Sequence, residues 1–120
     1  MIKVGVVGYG TIGKRVADAV AMQKDMKLIG VTAHSYSFNT EVAKQKGYKI
    51  FTIGETDLKL NGINPDGDIN NLLDEIDVVV DATPKDIGRD NIEKLYMPRK
   101  LKAIVQGGEK HKTTGTSFVA

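Results

Sequence analysis

Ile2-Lys3-Val4-Gly5-Val6-Val7-Gly8-Tyr9-Gly10-Thr11-Ile12-Gly13 opens the chain. The run from Ile2 to Val7 is short, β-branched and followed at once by glycine, which predicts a strand. Beyond the glycines, Ile12, Val16, Ala19 and Val20 recur at spacings of three and four. That is one apolar face of a helix running to about Lys24, with Lys14, Arg15 and Asp18 on other faces. A strand, a glycine-rich turn and an amphipathic helix in immediate succession begin a βαβ unit.

The same alternation continues outward. Leu28 to Thr32 reads as a second strand, and His34 to Asn39 as a polar loop. Thr40 to Lys46 can form a short helix stopped by Gly47, and Tyr48 to Ile53 a third strand. Between Gly54 and Gly67 the pair Asn61-Gly62, set between Leu60 and Ile63, is a hairpin signal, so this stretch is expected to be an excursion and not a core element. Asp68 can cap a helix whose Ile69, Leu72, Leu73 and Ile76 fall at i, i+3, i+4 and i+7. Val78 to Val80 is a buried-type strand broken by Thr83-Pro84. Asp90 to Tyr96 follows as a helix that stops before Pro98, and Ala103 to Val105 is the fifth strand. Ser117-Phe118-Val119 reads as the start of a sixth. Parallel strands need right-handed crossover helices, so the expected architecture is α/β, a doubly wound, mostly parallel Rossmann-like sheet. Its 120 residues allow one domain, spanning 1–120.

The glycines say what such a sheet would hold. A glycine fingerprint is weak alone and strong when it follows a strand and opens a helix. Gly8 permits the tight turn out of the strand, Gly10 lets backbone approach a pyrophosphate, and Gly13 lets the helix pack closely on the strand. The N–H groups of Thr11 and Ile12 then point at phosphate oxygens, aided by the helix dipole. The alternative is that these glycines only make a tight turn. A carboxylate ending the second strand would accept from a ribose 2′-hydroxyl and select NAD. Here that strand runs into Val31-Thr32-Ala33-His34-Ser35, with no carboxylate and no Arg or Lys. Thr32, His34 and Ser35 could donate to a 2′-phosphate, so NAD or NADP is the expected cofactor; a solvated loop is the alternative for His34. Ligands of such sheets lie beyond the carboxyl ends of the strands. Thr83 is therefore expected to face the nicotinamide half, and Gln106-Gly107-Gly108 to allow close backbone approach, with ordinary turn chemistry as the alternative for both. Asp81 reads as structural.

Composition excludes several other functions. The chain has no cysteine, which removes disulfides, thiolate metal sites and a cysteine nucleophile from these residues. No ligand cluster has metal spacing, and no catalytic serine–histidine–carboxylate arrangement is readable. A net charge of +2, with Lys and Arg interspersed with acids, argues against nucleic acid. No apolar run approaches the roughly 18 residues of a membrane span. The N-terminus has no secretory pattern, and a cytoplasmic location is expected.

Gly8 to Val20, Asp81-Ala82-Thr83-Pro84 with Ile87-Gly88, and Gln106-Gly107-Gly108-Glu109-Lys110 together resemble archaeal (type II) glyceraldehyde-3-phosphate dehydrogenase. The resemblance covers essentially the whole chain. It implies NAD(P)-dependent oxidation of glyceraldehyde 3-phosphate with phosphate, through a cysteine that attacks the aldehyde, in a homotetramer. It also implies cofactor contacts at Thr11, Ile12, Gly107 and Gly108, and less directly at Gln106 and Thr83. Ala33 stands where the family commonly carries a lysine favouring a 2′-phosphate. The family's catalytic cysteine, catalytic histidine, substrate domain and long C-terminal helix lie beyond these residues. The expectation is therefore a truncated cofactor part, inactive alone, with an apolar sheet face left uncovered. The competing readings are a stand-alone NAD(P)-binding regulatory module and the cofactor domain of a semialdehyde or homoserine dehydrogenase.

Overall fold

A computed structural model describes residues 1–54, 56–83 and 85–105. Its elements in chain order are β1 (Ile2–Val7), α1 (Thr11–Ala21), β2 (Met26–Ala33), α2 (Phe38–Gln45), β3 (Ile50–Thr52), β4 (Gly67–Asp68), α3 (Ile69–Leu73), β5 (Val78–Asp81), α4 (Lys85–Asn91), a π-helical turn (Ile92–Tyr96) and β6 (Lys102–Val105). The six strands form one sheet in the order β4-β3-β2-β1-β5-β6. Every pairing is parallel. The order reverses direction between β1 and β5, so the carboxyl ends of those two strands flank the switch point where such sheets bind ligands.

Alternation along the strands sends side chains to two cores. Val4, Val6, Val31, Ile50 and Val80 pack with Ala17, Val20 and Ala43 from α1 and α2. Val7, Phe51, Val79 and Ala103 pack with Ile69, Leu72 and Leu73 of α3 and with Ile92 and Tyr96 of the π turn. Parallel sheets need cover on both faces. On the α1 face, however, the β5–β6 end carries an apolar groove lined by Ile2, Val4, Val78, Val80 and Ile104.

Boundaries differ from the sequence reading in places with physical causes. Helix α2 starts at Phe38, because Ser37 and Thr40 form a capping box ahead of it. Helix α4 starts at Lys85 and not Asp90; Thr83-Pro84 is as much a helix-opening pair as a strand-breaking one. The strand expected fifth is β6, since the short Gly67–Asp68 pairing at the sheet edge adds one. Ser117 to Val119 lies outside the described residues.

The Asn61-Gly62 hairpin is a correction. Lys59–Asn61 is a 3₁₀ turn, and Gly62 closes it in the left-handed conformation at φ 84°. The Ile63 N–H donates back to the Leu58 carbonyl at 2.9 Å. Leu58 and Ile63 are buried at 0% and 3% exposure in the α1-side core, so the excursion carries core residues. Asp57 of the same stretch accepts from the Tyr36 N–H at 2.7 Å, which anchors the loop between β2 and α2.

Candidate functional site

At the carboxyl end of β1 the chain turns at Gly8, whose φ of +92° suits glycine and strains other residues. A Cβ at Gly13 would stand 1.8 Å from the Gly8 carbonyl oxygen. The absence of a side chain is therefore what lets α1 press its first turn onto the end of β1. Gly10 is different. Among the described residues a Cβ there would meet nothing within 4 Å, so none of them demands glycine at that position.

The amino end of α1 is open. Gly10 caps it without any side-chain bond, and its first turn holds no acid. By contrast, α2 is closed by Ser37 with Thr40, and α3 by Asp68 with Asn71. The first amides of a helix have no partner within it. Thr11 and Ile12 are exposed, and their first-turn N–H groups present donors and the positive end of the helix dipole to one spot. Chemically, that arrangement can hold a phosphate-type anion.

The remaining expected residues divide. His34 and Ser35 are exposed just beyond the carboxyl end of β2, where an adenosine ribose would lie. Thr32 is a correction: it is fully buried, and its hydroxyl oxygen accepts from the Gly8 N–H at 2.9 Å. Strand alternation points it into the sheet while its neighbours on the loop face out. Thr83 is a second correction, because its side chain is buried and its hydroxyl donates to Asp81. The carboxylate draws the hydroxyl inward. Gln106, Gly107 and Gly108 lie outside the described residues.

Asp81 ends β5 and is fully buried. One oxygen accepts from the N–H of Thr83 at 2.9 Å and from its hydroxyl. The other accepts from the Asn91 amide at 2.9 Å and from the Tyr96 phenol. Burial first, and then the Asp81 carboxylate, push the Tyr96 hydroxyl far above the usual phenol range, so it stays a donor at any ordinary pH. The buried carboxylate is thus compensated by donors, as the structural reading of Asp81 requires.

Sequence reasoning missed the part played by Tyr9. Its ring turns into the α1-side core and meets Tyr48 edge-on, with centroids 6.5 Å apart. Its hydroxyl is buried without a partner among the described residues. Tyr48 in turn donates to Asp18 of α1 at 2.7 Å. Replacing Tyr9 by phenylalanine removes the orphaned hydroxyl and is expected to hold or raise stability by about 1 kcal/mol. A clear fall in thermal midpoint would show that the hydroxyl has a partner.

Among the described residues no group of His, Cys, Asp and Glu could hold a metal ion. None of their helices is long and apolar enough to cross a membrane.

A sequence profile of the dihydrodipicolinate reductase N-terminus family matches residues 2–117. The chain belongs to that family. Curated relatives at 45–50% identity carry another enzyme's name. Glyceraldehyde-3-phosphate dehydrogenase of Methanothermobacter thermautotrophicus is 50% identical over 121 residues, covering 98% of this chain and 36% of the relative. The enzyme of the same name from Pyrobaculum islandicum is 45% identical over 122 residues, covering 100% of this chain and 36% of the relative. The resemblance read from the motif blocks therefore holds along the whole chain, which spans about a third of the length of those relatives. Among solved structures, apo scyllo-inositol dehydrogenase from Lactobacillus casei superposes with a TM-score of 0.66 at 20% identity, over 98% of this chain and 32% of that one. That likeness fixes the fold of this reductase-type N-terminal domain as Rossmann-like.

Proposed function

We propose that this chain is the NAD(P)-binding N-terminal part of a phosphorylating glyceraldehyde-3-phosphate dehydrogenase, which converts glyceraldehyde 3-phosphate, phosphate and NAD(P)+ to 1,3-bisphosphoglycerate and NAD(P)H. The observation that carries this reading is 45–50% identity along 98–100% of the chain to enzymes of that name. Identity at that level weighs more than membership in a wider domain family named for a reductase.

The described residues fit a dinucleotide. When bound, the cofactor supplies the nicotinamide that accepts hydride. The protein's own share is binding and orientation. The Thr11 and Ile12 amides take the pyrophosphate at the head of α1, and Gly10 leaves it room. His34 and Ser35 border the adenosine ribose. Because residues 32–35 hold no carboxylate, a 2′-phosphate is not repelled, and both NAD and NADP are accommodated. Gln106, Gly107 and Gly108 are assigned to the cofactor on resemblance. No cysteine occurs in these 120 residues, so the nucleophile that forms the thiohemiacetal belongs to the remainder of the enzyme. A cytoplasmic homotetramer is the assembly this reading implies.

A substitution tests the cradle. Gly10→Val puts a side chain into space that none of the described residues occupies, at a φ of −89° that valine tolerates. Its thermal midpoint should match that of the parent chain, while calorimetric titration with NAD or NADP shows binding weakened by at least about a hundredfold. Parent-like affinity would remove the pyrophosphate from this position. The reaction itself is tested on the enzyme that carries this domain. It should reduce NAD(P)+ only when glyceraldehyde 3-phosphate and phosphate are both present. Oxidation of NAD(P)H when dihydrodipicolinate is supplied would instead assign the domain to the reductase for which the family is named.

A further inference from the structure

Two features around Gly8 remain unused by the binding reading: a buried threonine hydroxyl on one side and a buried carboxylate on the other. We propose that Thr32 and Asp81 are positioning residues for the dinucleotide, fixing Gly8 from the two strands that flank β1 so that the glycine loop is set for phosphate before the ligand arrives. The proposal rests on the cradle reading above.

The geometry on the β2 side is a substitution of one acceptor for another. The β1–β2 ladder ends at the pair Val6 and Val31. Gly8 lies beyond it, and its N–H finds the Thr32 hydroxyl oxygen at 2.9 Å where a strand carbonyl would otherwise serve. On the β5 side, the Ala82 N–H donates to the Val7 carbonyl at 2.8 Å. Asp81 then holds both the N–H and the hydroxyl of Thr83. This places the Thr83 methyl and amide nitrogen 3.1 and 3.2 Å from where a Cβ on Gly8 would be. Gly8 is therefore boxed in its positive-φ conformation from both neighbours.

The box reaches the binding amides through Gly13. The near contact of that residue with the Gly8 carbonyl ties the first turn of α1 to the position of Gly8. Thr32 and Asp81 are both fully buried, and they act through Gly8. A loop already held in its bound shape loses less conformational freedom on binding, and affinity rises accordingly.

Thr32→Val keeps the shape and removes the acceptor, whereas Thr32→Ser keeps the hydroxyl. In titrations with NAD and NADP, folded Thr32→Val should bind about tenfold more weakly, the effect of one buried donor left unpaired, and Thr32→Ser should recover most of the loss. Thr83→Val and Thr83→Ser should repeat the pattern on the other side. A threonine that merely supports the fold would lower the thermal midpoint of Thr32→Val and leave the affinity of the folded protein at the parent value; that result overturns the proposal. Should Thr32→Val not fold, amide hydrogen exchange on the ligand-free parent chain decides. The Gly8 N–H is expected to be protected, and free exchange there overturns the proposal. A parent chain that binds neither NAD nor NADP would instead contradict the cradle itself, so the two failures are distinct.

Discussion

Gly13→Ala is expected to cost about 3 kcal/mol of stability and to abolish dinucleotide binding with it. The added methyl would lie 1.8 Å from the Gly8 carbonyl oxygen and 2.9 Å from its carbonyl carbon. Those are backbone atoms, and they cannot swing aside as a flexible side chain could. Relief requires either lifting α1 off β1 or turning Gly8 out of its conformation. The first opens the core around Ala17 and Val20, and the second breaks the Gly8–Thr32 hydrogen bond. Overpacking in a close-packed interior typically costs 1–3 kcal/mol, and a backbone-to-backbone clash falls at the upper end (about 3). For a chain of this size the thermal midpoint should drop by about 10 °C. A midpoint within a degree or two of the parent would mean that α1 sits farther from β1 than described. The contrast with Gly10→Val is informative, because there the loss of binding comes without loss of stability.

Asp81→Ala should be the most damaging single change to the β5–α4 corner. It removes the acceptor of the Thr83 N–H, the Thr83 hydroxyl, the Asn91 amide and the Tyr96 phenol together. Each buried donor left unpaired costs about 1–3 kcal/mol, and partial rearrangement recovers some of that. A loss of about 4 kcal/mol is expected, with a midpoint lowered by about 15 °C. Asp81→Asn should fall between, since its carbonyl oxygen still accepts while its NH2 meets donors on the other side. Differential scanning calorimetry of the two variants checks the order. Equal midpoints for parent and Asp81→Ala would contradict the hydrogen-bond assignment.

Much of the architecture is legible in local pattern because parallel α/β chains repeat one signal. Ile2 to Val7 and the glycine spacing place β1, the turn and the start of α1, and Ile69, Leu72 and Leu73 mark the buried stripe of α3, with Ile76 buried three residues beyond its end. Asn61-Gly62 misled because a hairpin dipeptide reports only its own backbone. Whether Leu58 and Ile63 enter the core depends on the distant sheet face they meet. The site shows the same division. Spacing locates Gly8, Gly10 and Gly13, and it explains Gly8 and Gly13 because their roles are local and steric. The hydroxyls of Thr32 and Thr83 are another matter. Sequence supplies two donors near strand ends, but strand parity and the Asp81 carboxylate turn them inward. Tyr9, framed by glycines, reads as part of the loop, yet its ring belongs to the core.

Amide-resolved NMR titration of the chain with NADP, NAD and ADP-ribose tests the central claim most directly, that the head of α1 grips a diphosphate. The account predicts the largest shifts at the Gly10, Thr11, Ile12 and Gly13 amides, with all three ligands agreeing there because all share the diphosphate. Shifts gathered instead at the amino ends of the strands, around Lys3, Lys27 and Lys49, with the α1 amides unmoved, would contradict it.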